Sequence, residues 1–144
     1  MLGQLDSAAE GAVIADFEAG LGTVIRMGDQ PVDVVVLVTE PTVKSLEVAR
    51  RAADLVRERR LGRLVVTANR VRDADDEARV HAAFPGLDVV IVPDEPAIVA
   101  AERLGEAPLD TAPDSPGVRA LVALALTLVP RPVEARSLGR LASG

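Results

Sequence analysis

The chain has 144 residues, of which 49% are hydrophobic and 1% aromatic, and its formal net charge is −6. This is enough apolar material for the core of one domain, whereas the acidic balance and the scarcity of aromatic rings argue against a nucleic-acid partner. Because the chain has no cysteine and one histidine, disulfides, thiolate metal sites and His-rich zinc sites are excluded. No apolar run approaches the roughly 18 residues of a membrane span, so we expect a cytoplasmic protein without a membrane partner.

The first predicted strand covers residues 12–17. Asp16 lies near the end of this β-forming run, and Glu18, Ala19 and the glycines Gly20 and Gly22 follow it. In open α/β sheets, ligands bind at the carboxyl ends of the strands, so Asp16 and Glu18 are candidate site residues. An acidic turn is the alternative interpretation, and a dinucleotide fingerprint starting at Gly20 is disfavoured because its third glycine position is Ile25.

Strands and helices alternate through the rest of the sequence. Hydrophobic periodicity predicts further strands over 33–39, 63–68 and 87–92 and helices over 43–60, 75–83, 96–104 and 116–128. This order indicates an α/β fold, a parallel sheet of about four strands with helices on both faces. We expect one domain over 1–129 and a flexible tail over 130–144.

Polar residues follow the later strands as they follow the first. Asn69 and Arg70 come after the strand over 63–68, and Pro93 and Asp94 come after the strand over 87–92. The carboxyl ends of parallel strands share one edge of the sheet, so these residues are candidates for a common site. Taken alone, Asn69 is equally typical of a turn.

Several of these segments together carry a family resemblance. They are Asp16-Phe17-Glu18-Ala19-Gly20, Glu40-Pro41-Thr42, Asn69 after a strand, and Val92-Pro93-Asp94. In this order they resemble the deviant-Walker P-loop ATPases, the group of MinD, ParA and the carbon monoxide dehydrogenase maturation factor CooC. The acid-x-Glu-Ala-Gly segment is most similar to the CooC branch.

The resemblance implies a site for ATP or ADP with Mg²⁺. In that scheme Asp16 orients the magnesium ion through water, and Glu18, Ala19 and Gly20 form the switch that senses the γ-phosphate. Asn69, with Arg70 in place of the family's lysine, recognises adenine. Pro93 and Asp94 lie in the loop beside the base.

One part of the family pattern is missing. The glycine-rich loop with its lysines does not occur, and the only lysine, Lys44, has no preceding glycines. We therefore expect an N-terminally truncated or degenerate P-loop NTPase-like domain that does not hydrolyse ATP alone, with no catalytic residue assigned. A strand over 12–17 without its neighbour would invite pairing, so self-association as a dimer, or a partner chain supplying the missing half-site, is expected.

Two alternatives stay open. The first is a non-catalytic α/β interaction module that partners an intact ATPase or another protein. The second is an unrelated α/β domain such as a response-regulator-like receiver, which is disfavoured because no lysine lies late in the chain.

Overall fold

The computed structural model describes residues 12–17 and 32–128. Strands and helices alternate in the first six described elements, and two more helices follow. The elements are β1 (Val34–Thr39), α1 (Val43–Glu58), β2 (Arg63–Val71), α2 (Ala74–Ala83), β3 (Asp88–Pro93), α3 (Pro96–Leu104), α4 (Pro108–Thr111) and α5 (Pro116–Leu128). The three strands form a parallel sheet in the order β1-β2-β3.

The first face of the sheet packs against α1 and α2. Leu64, Val66 and Ala68 of β2 belong to the main core cluster, together with Val56 of α1 and Val80 of α2. These β2 residues alternate along the strand, as the period of two requires for a common face. The main core therefore lies between β2 and the two crossover helices.

On the second face of the sheet, α5 lies over β3, whereas Val36 and Val38 of β1 are exposed. Helix α5 packs against β3, and the side chain of Arg63 donates a hydrogen bond of 2.7 Å to the carbonyl of Thr127 near its end. Arg63, Val65 and Thr67 alternate with the core residues of β2, so they lie on this second face. The predicted parallel α/β architecture with helices on both faces is confirmed.

The first predicted strand is not found. Residues 12–17 are described, but they form no strand and all six are exposed. An apolar sequence of β-forming residues favours a strand. A strand also needs a neighbouring strand that pairs with its backbone N–H and C=O groups. The described part of the chain places no strand beside this segment, and its sheet has three strands rather than four.

Two other differences from the prediction exceed two residues. Strand β2 runs on to Val71, three residues past the predicted end, because the chain bulges after Ala68 and Val71 then pairs with Pro93. Between the helices predicted over 96–104 and 116–128, where no element is predicted, the chain forms α4, a single turn. Pro108 fixes φ at a value suited to the first turn of a helix, so proline here starts helical structure instead of preventing it.

Candidate functional site

The end of β2 carries a bulge at two predicted site residues, the half-buried Asn69 and the exposed Arg70. The register shifts between Ala68 and Val71, and Arg70 has a φ of 61°. Left-handed backbone is uncommon for residues other than glycine. The side-chain oxygen of Asn69 accepts a 3.0 Å hydrogen bond from the N–H of Arg70, which fixes the amide of Asn69 on this turn.

Arg70 connects the ends of all three strands. Its guanidinium lies 3.6 Å from the carboxylate of Glu40, which follows β1, and 3.6 Å from that of Asp94, which follows β3. All three side chains are substantially exposed, so each ion pair contributes little to stability. The arrangement instead holds a planar cation and two carboxylates over the carboxyl edge of the sheet.

The β1–α1 loop is fixed by hydroxyl groups. The hydroxyl of Ser45 accepts a hydrogen bond from the N–H of Glu40 and lies 3.0 Å from the hydroxyl of Thr39. Thr42 caps α1 by accepting from the N–H of Ser45. These contacts tie the end of β1 to the first turn of α1 and thereby place Glu40 beside Arg70.

A buried carboxylate lies next to this edge. Asp76 is fully buried. One of its oxygens accepts from the backbone N–H and the side chain of Arg72, at 3.2 and 3.1 Å, and the other accepts from Arg79 at 3.0 Å. Arg79 also reaches the carbonyl of Pro41 at 3.5 Å, which connects α2 to the β1–α1 loop.

The ionisation of Asp76 follows from these contacts. The hydrogen bond from the Arg72 side chain lowers the pKa of Asp76, against the effect of burial, which raises it. The same hydrogen bond raises the pKa of Arg72. Asp76 is therefore a carboxylate at neutral pH, with both oxygens engaged.

The predicted site residues divide into three groups. Arg70 and Asp94 are in contact, with Asn69 next to Arg70 and Pro93 next to Asp94. Asp16 is exposed in the segment 12–17. Glu18, Ala19 and Gly20 lie outside the described residues.

A metal site is not formed by the described residues alone. Within 12–17 and 32–128, no three His, Cys, Asp or Glu side chains gather in a way that could hold a metal ion. The magnesium role of Asp16 stays a prediction. None of the described helices is both long and apolar enough to cross a membrane.

Sequence reasoning missed Glu40 and Asp76 as site neighbours. A signal for Asp76 existed in the spacing, because Arg72 and Arg79 lie four residues before and three residues after it. Such pairs are usually solvated, and only the packing of α2 shows that this carboxylate is buried. Glu40 becomes a site neighbour through its ion pair with Arg70, and that contact depends on the bulge at Arg70. No recognisable sequence pattern predicts this bulge.

Comparisons with known proteins agree with this fold. No protein-family model matches the chain. An uncharacterized ATP-binding protein of Methanocaldococcus jannaschii is 35% identical over 97 residues, which cover 65% of this chain and 38% of that protein. The MinD cell division protein of Aquifex aeolicus superposes with a TM-score of 0.53 at 22% identity, over 69% of this chain and 46% of MinD.

The described chain has a MinD-like fold. It spans less than half the length of either similar protein. The likeness to MinD at 22% identity shows the fold alone, and the sequence similarity adds a relative that is described as binding ATP.

Proposed function

We propose that the carboxyl edge of β2 and β3 binds the base of an adenine nucleotide, and that the chain provides the base side of a MinD-like nucleotide-binding domain. The observation that carries this proposal is the convergence of Asn69, Arg70 and Asp94 at one sheet edge. The sequence similarity to an ATP-binding protein supports it.

The chemistry of Asn69 favours adenine. Its amide oxygen accepts from the N–H of Arg70 with one lone pair, so a second lone pair and the amide N–H₂ are available to a ligand. Adenine offers the complement, an amino group at N6 and an acceptor at N7, whereas guanine places an oxygen where adenine has its amino group. We therefore expect the affinity for adenine nucleotides to be at least about tenfold higher than that for guanine nucleotides.

The groups that hold the phosphates are proposed to come from another chain. These 144 residues contain no glycine-rich loop with a lysine, and such a loop supplies the N–H groups and the charge that hold phosphates. We propose that a partner chain contributes them, that the domain self-associates or pairs with that chain, and that it does not hydrolyse ATP alone. Asp16 as a magnesium ligand, Glu18, Ala19 and Gly20 as a switch, and kinship with the CooC branch belong to the same proposal.

The test is a titration of ATP, adenosine and GTP, each with Mg²⁺, into isotope-labelled protein followed by amide chemical shifts. We expect saturable shifts at Asn69 and Arg70, weak affinity, and similar affinities for ATP and adenosine. Asn69→Asp, which removes the amide donor, should weaken adenosine binding about tenfold. Asp75→Asn makes the reverse change at an exposed position of α2 and should have no effect on binding.

The absence of any shift with folded wild-type protein would contradict nucleotide binding by this chain. The second candidate, an interaction module, would then be favoured. It is supported by exposed apolar side chains on β1 and α5, namely Val36, Val38, Leu121, Val122 and Leu126. A module of this kind would tolerate both Asn69→Asp and Asp16→Ala without loss of partner binding.

A further inference from the structure

We propose that Glu95 is a positioning residue, whose carboxylate joins the N-termini of α3 and α5 and thereby holds Asp94 against Arg70. The value of this arrangement for ligand binding rests on the proposed function of the Asn69–Arg70 edge. The joining of the two helices is a property of the fold itself.

One carboxylate serves two helices. One oxygen of Glu95 accepts from the N–H of Ala97, in the first turn of α3, at 3.2 Å. The other oxygen accepts from the N–H of Gly117, in the first turn of α5, also at 3.2 Å and across 22 residues of sequence. N–H groups in the first turn of a helix have no partner within that helix, and a negative charge there is stabilised by the helix dipole.

The residues at the start of α5 leave both the space and the unpartnered N–H group that this contact requires. Ser115 directly precedes α5, a position where serine ordinarily caps the helix with its hydroxyl, yet its buried hydroxyl has no hydrogen-bond partner among the described residues. A Cβ on Gly117 would lie 2.7 Å from the Cβ of Glu95 and 3.0 Å from its Cγ. The absence of a side chain at Gly117 therefore lets Glu95 approach and replace Ser115 as the cap.

The contact bears on the candidate site through Asp94. The N–H of Asp94 donates to the carbonyl of Val71 at 2.9 Å, and the carbonyl of Glu95 accepts from Ile98 at 3.1 Å. The backbone on both sides of Asp94 is thus fixed, at β2 and at α3. With the side chain of Glu95 fixed at α5 as well, the carboxylate of Asp94 is held 3.6 Å from Arg70.

The test compares Glu95→Gln with Glu102→Gln, which removes the same charge from an exposed position of α3. A glutamine has one acceptor oxygen, so only one of the two helix N–H groups keeps its partner. We expect the amide protons of Ala97 or Gly117 to shift upfield in Glu95→Gln, together with changes at Arg70 and Asp94. Adenosine affinity should fall about fivefold, as for the loss of one hydrogen bond. Glu102→Gln should cause neither change.

Two further variants disrupt the contact between Glu95 and Gly117 in other ways. Glu95→Asp can still cap α3 but is too short to reach Gly117, and Gly117→Ala pushes α5 away while leaving the carboxylate intact. Both should reproduce the changes at Arg70 and Asp94, and both keep the test decisive if Glu95→Gln does not fold.

The proposal would be overturned if these variants changed Ala97 and Gly117 but left Arg70 and Asp94 as they are in Glu102→Gln. If wild-type protein bound no nucleotide, the proposed function would fail, whereas the shifts at Arg70 and Asp94 would still decide the role of Glu95.

Discussion

At the scale of single residues, the buried contacts of Asp76 link its ionisation to folding stability. The carboxylate is fully buried between Arg72 and Arg79, and its lowered pKa means that the folded state favours the ionised form. Folding stability from such a group is present above its ordinary pKa of 3.8 and is lost as the pH falls through the lowered folded value. Arg72, whose pKa is raised, stays charged throughout this range.

We therefore predict that Asp76→Asn lowers the urea midpoint at pH 7 and flattens the loss of stability as the pH falls below 3.8. Urea unfolding across this range measures both effects. Asp75→Asn, at the exposed neighbouring position, serves as the control and should keep the acid dependence of the wild type. An equal acid dependence in the two variants would show that Asp76 is not linked to folding.

At the scale of elements, α1 ends in a hydrogen-bonded motif that the residue types at its end do not predict. The N–H of Arg60 donates to the carbonyl of Arg57, and that of Leu61 donates to the carbonyl of Val56. Together with a φ of 54° at Arg60, this is the Schellman arrangement, in which glycine is preferred at the left-handed position. The sequence predicts this helix to end at residue 60, whereas α1 ends at Glu58. The glycine that follows, Gly62, allows close approach to the carbonyl of Val32.

Arg60→Gly should accordingly raise the free energy of unfolding by about 0.5–1 kcal/mol, because it relieves left-handed strain. Arg59→Gly, one residue earlier at a φ of −85°, should lower it by about 0.5–1 kcal/mol through backbone entropy alone. Urea unfolding of the pair at pH 7 measures the difference. The same sign in both variants would contradict the assigned backbone conformations.

At the scale of the whole molecule, stability depends on the core between β2, α1 and α2. Leu61 is fully buried in that core and links the end of α1 to the start of β2. Leu61→Ala should cost about 2–5 kcal/mol, and Leu104→Ala, at a side chain that is 71% exposed, about 0.5 kcal/mol or less. Chemical unfolding monitored by circular dichroism checks both values, and comparable losses would contradict the assignment of this core.

Sequence patterns correctly predicted the order of the elements from β1 to α3 and the helix α5, because periods of two and of about 3.6 are set by local backbone geometry. They also placed Asn69, Arg70, Pro93 and Asp94 at strand ends, and parallel strands bring such ends to one edge. The tertiary structure was needed to show that residues 12–17 form no strand, that β2 bulges at Arg70 and that Asp76 is buried. Pairing, bulges and burial depend on groups distant in sequence. The contact of Glu95 with Gly117, across 22 residues, is of the same kind, and no local pattern specifies it.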